Sequence, residues 1–300
     1  MSSRKIALLA AFIANLIYGI NYVVAKGIMP DFLQPRAIIL IRVFGASLIF
    51  WLISALLPSD KVNRPDLLRI AFASIFGVTI NQILFFEGLN LSTPINASII
   101  MVCVPIGVLI FSKLLRKEKL SFVRIVGIML GTAGAAMLIL NGGNPDFSSN
   151  TTLGNFFIVI NASSYGLYLV LIKPLMMKYN AITIMKWVFL FGLIGVIPFT
   201  AHIALQSDWA EIPLNIWLSI SYVILFTTVL AYFLNNFSLK RISPTANSSI
   251  IYMQPLFATI IALLFGKDNP TLEMLVPVIL IFTGVYLVSL QKKKLIVPIQ

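Results

Sequence analysis

The sequence predicts an all-α integral membrane protein with ten transmembrane helices in two inverted-topology five-helix repeats. Three observations predict it: an apolar, charge-poor composition, regularly interrupted apolar runs, and a likeness between the two halves of the chain. Of 300 residues, 59% are hydrophobic and 11% charged, whereas a soluble domain is about 25% charged. Mean hydropathy is +0.97. A water-soluble fold of this size cannot bury so much apolar surface. The composition therefore excludes a cytosolic enzyme, a nucleic-acid-binding module and a disordered chain. A spanning helix takes roughly 20 residues, so ten use roughly 200 and leave about 100 for short connections. No extramembrane domain is expected.

Apolar runs broken by turn residues place spans at 6–29, 33–57, 67–91, 94–115, 121–141, 152–176, 182–205, 213–238, 244–266 and 271–290. Pro58-Ser59-Asp60 ends the second, the Asn141–Pro145 stretch ends the fifth, and Ser243-Pro244 opens the ninth. The first follows Arg4 and Lys5 like a secretory signal, but it is too long and carries Asn15, Tyr18 and Asn21. It reads as a retained helix.

Lysine and arginine set the orientation. With the N-terminus in the cytoplasm, eighteen basic residues lie inside and three, Lys26, Arg36 and Lys267, lie outside, while Arg42 sits within a span. Both termini are then cytoplasmic. The net charge of +12 follows from this loop bias and needs no nucleic acid. The run Lys292–Lys294 reads as a topology anchor for anionic lipid.

Residues 94–140 and 244–290 align without a gap at an offset of 150, with 11 identities in 47 positions. These include Pro94/Pro244, Ser98/Ser248, Pro105/Pro255 and Gly134/Gly284. A weaker echo pairs Tyr18-Gly19 with Tyr165-Gly166, and Lys26 with Lys173. The repeats are placed at 1–145 and 146–300. Five spans per half is odd, so the second half enters the membrane upside down. Such repeats suit alternating access around a midplane site.

The segment Asn90–Ser98, the following Pro105 and the run Arg116–Ser121 resemble the EamA-type members of the drug/metabolite transporter superfamily. So do Arg42-Val43-Phe44 in the second span and the glycines 127, 131 and 134 of the fifth. The likeness covers nearly the whole chain, although Gly266–Thr271 copies the loop after the fourth span imperfectly. The resemblance implies transport of a small metabolite across the cytoplasmic membrane. The lean to export rests on it alone.

Polar side chains in spans face a cavity or another helix. The first span carries Asn15, Tyr18, Asn21 and Tyr22, the third Asn81 and Gln82 beside Phe85, and the fourth Ser98 and Met101. The sixth carries Asn161, Ser164, Tyr165 and Tyr168, the eighth Tyr232, Asn235 and Asn236, and the ninth Ser248, Tyr252 and Gln254. As a set they are expected to line an aqueous pathway; singly, interhelical hydrogen bonds explain each one equally well. Amides and aromatic rings point to a neutral or zwitterionic solute, such as an amino acid.

Arg42 lies about 12 Å into its span. It either binds an anionic substrate group or satisfies a neighbouring helix, the latter favoured. Glu87 and Lys26 are expected to pair at the outer rim; the other option gives Glu87 a coupled proton. Pro105 and Pro255 lie mid-span at equivalent positions and are read as kinks or breaks in their helices with a gating or site-shaping role. Gly127 and Gly131 are read as helix packing. Trp51, Trp209, Trp217 and His202 fit interfacial positions, and Trp187 is a deeper candidate for the pathway.

Cys103 is the one cysteine. No nucleotide loop, zinc-protease helix or serine-hydrolase motif occurs, so no cofactor and no enzyme activity are expected. The expected partners are a small-molecule substrate and the bilayer; monomer and dimer stay open. The alternative function is a passive channel or facilitative pore.

Overall fold

The computed structural model describes residues 3–117, 121–142, 149–254, 256–257 and 275–290. Among them every regular element is helical. Lipid offers the backbone no hydrogen bonds, so a spanning segment must satisfy its own amides and carbonyls, and helices do this within one segment.

Six helical stretches are long and apolar enough to cross a bilayer. They are α1 (Ser3–Ile28), α2 (Pro35–Leu56), Arg64–Leu91, Thr151–Lys178, Ala181–Leu205 and Leu214–Arg241. These correspond to the first, second, third, sixth, seventh and eighth expected spans. Arg64–Leu91 comprises α3 (Arg64–Ser74), a π-helical turn at Ile75–Thr79 and α4 (Ile80–Leu91). The fourth span is divided into α5 (Pro94–Met101) and α6 (Val104–Arg116), and α7 (Phe122–Gly142) is the fifth. In the second half come α8 (Ser149–Lys178), α9 (Ala181–Leu205) and α10 (Leu214–Tyr222). A π segment at Val223–Leu230 leads into α11 (Ala231–Arg241). The short α12 (Pro244–Ser248) tightens into a 3-10 turn at Ser249–Tyr252, and α13 (Leu275–Ser289) is the tenth. The rest of the ninth expected span, Pro255 and residues 258–266, lies outside the described residues.

Local chemistry accounts for the helix starts. Asn63 and Ser243 accept backbone hydrogen bonds from Asp66 and Ala246, as N-caps do. Prolines occupy the first turns of α2, α3, α6 and α12, where the missing N–H costs nothing.

Pro105 was expected at a kink or a break, and the structure has the break. The chain turns at residues 102–103 and restarts as α6 with Pro105 in its first turn. A proline inside a continuous helix would clash with the preceding turn; a break just before it removes the clash. The break lies at offset 150 from the 3-10 turn after α12. The two π segments also correspond, since 75–79 maps to 225–229 within Val223–Leu230.

Two lysines perform the same task in the two halves. Lys26 donates to the carbonyls of Leu89, Asn90 and Ser92 at 2.9, 2.7 and 3.1 Å. Lys173 donates to those of Leu239, Lys240 and Ile242. The three acceptors differ by 150 in every case. Each ammonium closes a helix C-terminus whose last carbonyls lack intrahelical partners.

Helices α7 and α13 approach most closely through glycine. A Cβ on Gly284 would lie 2.5 Å from the Gly131 amide nitrogen and 2.6 Å from the Gly127 carbonyl. Both neighbours are backbone, so neither can swing aside. This bears out the packing reading of Gly127 and Gly131. Gly284→Val is expected to destabilise by about 1–3 kcal/mol through overpacking. Gly27→Ala, whose Cβ meets nothing within 4 Å, serves as the control. Thermal unfolding in detergent checks both, and equal midpoints would contradict the close crossing.

A central cavity lined from both halves

The described helices enclose a cavity with about 580 Å³ of space between atoms, its mouth included. Asn15, Tyr18, Asn21 and Tyr22 reach it from α1 and Arg42 from α2. Asn81, Gln82 and Phe85 come from α4, and Met101 from the end of α5. The second half contributes Asn161, Tyr165, Thr227, Tyr232, Asn235, Ile251 and Gln254. No aspartate, glutamate or lysine is among these, and Arg42 is their one ionisable cation.

Two hydrogen-bond chains fix the amides. Along one wall Asn15 Nδ2 donates to its own helix at the Ala11 carbonyl, 2.8 Å. Its Oδ1 accepts from Gln254 Nε2 at 2.7 Å, and Gln254 Oε1 accepts from the Tyr22 hydroxyl at 3.0 Å. Every role along this wall is thereby set. On the opposite wall Gln82 Nε2 donates to Asn81 Oδ1 and to the Tyr232 hydroxyl. The Tyr232 hydroxyl in turn lies 3.2 Å from the Gly77 carbonyl. Asn161 Nδ2 donates to the Asn81 carbonyl at 2.7 Å, and Asn235 Nδ2 to the Tyr165 hydroxyl at 2.6 Å.

The π segments make this second wall possible. A π turn shifts the backbone register and leaves carbonyls for other donors. Ser164 Oγ takes the Phe76 carbonyl and Tyr232 approaches that of Gly77. In the other half Thr228 Oγ1 donates to the Val223 carbonyl at 2.6 Å and accepts from Arg42 Nε at 2.9 Å. The Arg42 guanidinium also stacks 4.7 Å above the Phe86 ring.

At one end of the bundle the halves are tied together. Asp66 accepts from Lys178 and, at 2.8 Å, from the Tyr179 hydroxyl, and pairs with Arg69 at 3.2 Å. Asp60 accepts from the Asn180 amide, which opens α9, and Lys186 donates to Ser54 at 2.8 Å.

Thirteen of the residues expected along a pathway, Asn15, Tyr18, Asn21, Tyr22, Asn81, Gln82, Phe85, Met101, Asn161, Tyr165, Tyr232, Asn235 and Gln254, line this cavity together with Arg42. Others lie elsewhere. Tyr168 is fully buried and donates to Asn236 Oδ1. Tyr252 pairs with Thr132 on α7 at 3.0 Å, Ser248 donates to the Thr245 carbonyl, and Ser98 is half-buried on α5. Trp187 packs on Trp51 and Phe191 away from the cavity. The expected Glu87–Lys26 pair is not formed: Glu87 pairs with Arg36 at 2.6 Å, and Lys26 caps α4. Three carbonyls at a helix end outcompete a single carboxylate at a half-exposed rim. Arg42 bonds a neighbouring helix, as favoured, yet also faces the cavity. Thr227 and Ile251 were missed as lining residues. One is the first of two adjacent threonines in an otherwise apolar run and the other an isoleucine, and neither was weighed as a polar signal in the spans.

Comparison with known proteins agrees with this architecture. A solved crystal structure superimposes with a TM-score of 0.74 at 17% identity, covering 94% of each chain, which speaks to the fold. An uncharacterised transporter of Archaeoglobus fulgidus is 24% identical over 76% of this chain and 78% of its own. The uncharacterised inner membrane transporter YicL of Salmonella typhimurium is 23% identical over 98% of both. A protein of Streptantibioticus cattleyicolor, named a probable terminal-alkyne amino-acid exporter, is 22% identical over 76% of both. The EamA-like transporter family matches twice, over residues 5–140 and 152–290. The chain is therefore a membrane transporter built from two repeats and belongs to the EamA-like transporter family.

Proposed function

We propose that this protein exports a small neutral or zwitterionic metabolite, of amino-acid type, across the cytoplasmic membrane by alternating access. Ten helices in two inverted halves surround the cavity, and both termini are cytoplasmic. One observation carries the reading. Gln82 and Tyr232, equated by the 150-residue offset, hydrogen-bond each other in the cavity wall. Equivalent residues meet only near an axis relating their segments, so this contact supports a pseudo-two-fold running through the site. The matched lysine caps and π segments support it as well. The name of the Streptantibioticus relative supports both the amino-acid class and the export direction.

In this reading the halves exchange conformations, and the ties at Asp60, Asp66 and Lys186 seal the cytoplasmic end. The alternative, a passive pore, needs no such tie. Glu87, paired with Arg36 and outside the cavity wall, is not assigned a coupled proton. The substrate partner is one small molecule per cavity; the oligomeric state plays no part in the mechanism.

Reconstituted protein is expected to accelerate uptake of labelled amino acid when unlabelled amino acid fills the vesicle. Linear, unsaturated flux without that stimulation would establish the pore. Asp66→Asn is expected to open the sealed end. In a Cys103→Ser background, a cysteine replacing Asn235 should react several-fold faster with an impermeant thiol reagent applied from the cytoplasmic side. Equal rates with and without Asp66→Asn would remove the latch. The same reagent, directed at cysteines added to each tail, should find both tails on the cytoplasmic face.

A further inference from the structure

Arg42 is 2% exposed. Its Nε is held by Thr228 and its face by Phe86. No hydrogen bond from its two terminal nitrogens, and no ion pair, is found among the described residues. A buried guanidinium with its forked edge open toward a cavity free of carboxylates is an incomplete charge pair. Four buried lining oxygens also lack a hydrogen-bond partner: the hydroxyls of Tyr18 and Thr227, and Oδ1 of Asn21 and of Asn161, of which the two amide oxygens can only accept. The Asn161 amide cannot turn over to hide its oxygen, because its Nδ2 is engaged with the Asn81 carbonyl.

Resting on the transport reading, we propose that the solute is a monocarboxylate, its carboxylate seated on the forked edge of Arg42. An N–H or O–H donor on the same molecule then meets the open amide oxygens of Asn21 and Asn161. Charge counting decides between ligand classes. A monocarboxylate neutralises the single cation. A phosphate ester would bring a second negative charge for which the wall holds no second cation. An organic cation would add like charge beside Arg42, again without an acid to receive it. A neutral sugar would leave the fork unpaired in a dry site, which is costly. The acceptors for the donor end are neutral amides, so the carboxylate is obligatory and an ammonium is replaceable by a hydroxyl or amide donor.

The test uses matched compounds on the leucine and phenylalanine scaffolds: the amino acid, its 2-hydroxy acid, its carboxamide and its decarboxylated amine. Binding is read as the ligand-dependent rise in unfolding temperature of the purified full chain at millimolar ligand. Both acids should bind, with carboxamide and amine weaker by roughly tenfold or more, the scale of one charge-assisted contact. Arg42→Gln should erase the difference between acid and carboxamide, and Arg42→Lys should keep part of it. Thr228→Val, which frees the guanidinium without removing its charge, should narrow the difference and covers the case in which Arg42→Gln does not fold. Carboxamides or amines binding as tightly as acids, or no acid binding, would overturn the proposal. Arg42-dependent acid binding without vesicle counterflow would sink the transport reading and leave this inference standing. Counterflow of a sugar or an organic cation, indifferent to Arg42→Gln, would overturn this inference together with the amino-acid class and leave carrier-type transport standing.

Discussion

The whole architecture follows from one constraint: inside a bilayer, each backbone amide and carbonyl must find its partner within the protein. Continuous α-helix meets the constraint but leaves nothing polar for a solute. This chain departs from it at a few matched places, and each departure is answered by a side chain. The π segments are answered by Ser164, Tyr232 and Thr228. The open helix ends before α5 and α12 are answered by Lys26 and Lys173. The cavity is consequently walled by backbone irregularity as much as by side chains, and its polar groups are oriented before any solute arrives.

Much of this was legible in the sequence, and the reasons differ by feature. Long spans were legible because a bilayer demands long uninterrupted apolarity, which composition alone records. The repeat was legible where backbone chemistry constrains residue type: proline at helix starts and glycine at the crossing of α7 and α13 keep their identity across the halves. Asn15, Asn81, Asn161 and Gln254 were legible because an amide in a span must have a polar neighbour.

The remainder was hidden because it depends on register. A π turn needs no signature residue; Ile75–Thr79 reads as ordinary apolar helix. The Lys26 echo of Lys173 was visible as a residue match, but its partners are carbonyls, which carry no side-chain identity. An ion pair with Glu87 was the natural reading of two opposite charges at similar depth. The eventual partner, Arg36, stands at the start of α2, and its approach to α4 depends on helix packing rather than on spacing along the chain.

The symmetric frame and the asymmetric site have separate physical origins. In the alternating-access reading proposed above, a pseudo-two-fold requires that both halves be able to adopt both conformations, and the features that recur between the halves fit that requirement: the lysine caps and the π segments. Recognition of a solute with two different ends requires the opposite. Gln82 and Tyr232 occupy equivalent places yet differ in chemistry, one an amide donor and the other a hydroxyl. Arg42 enters from the first half alone, and Thr228 of the second half orients it. Duplication could thus supply the frame outright, while specificity had to come from breaking the likeness at the few positions where the halves face each other across the cavity.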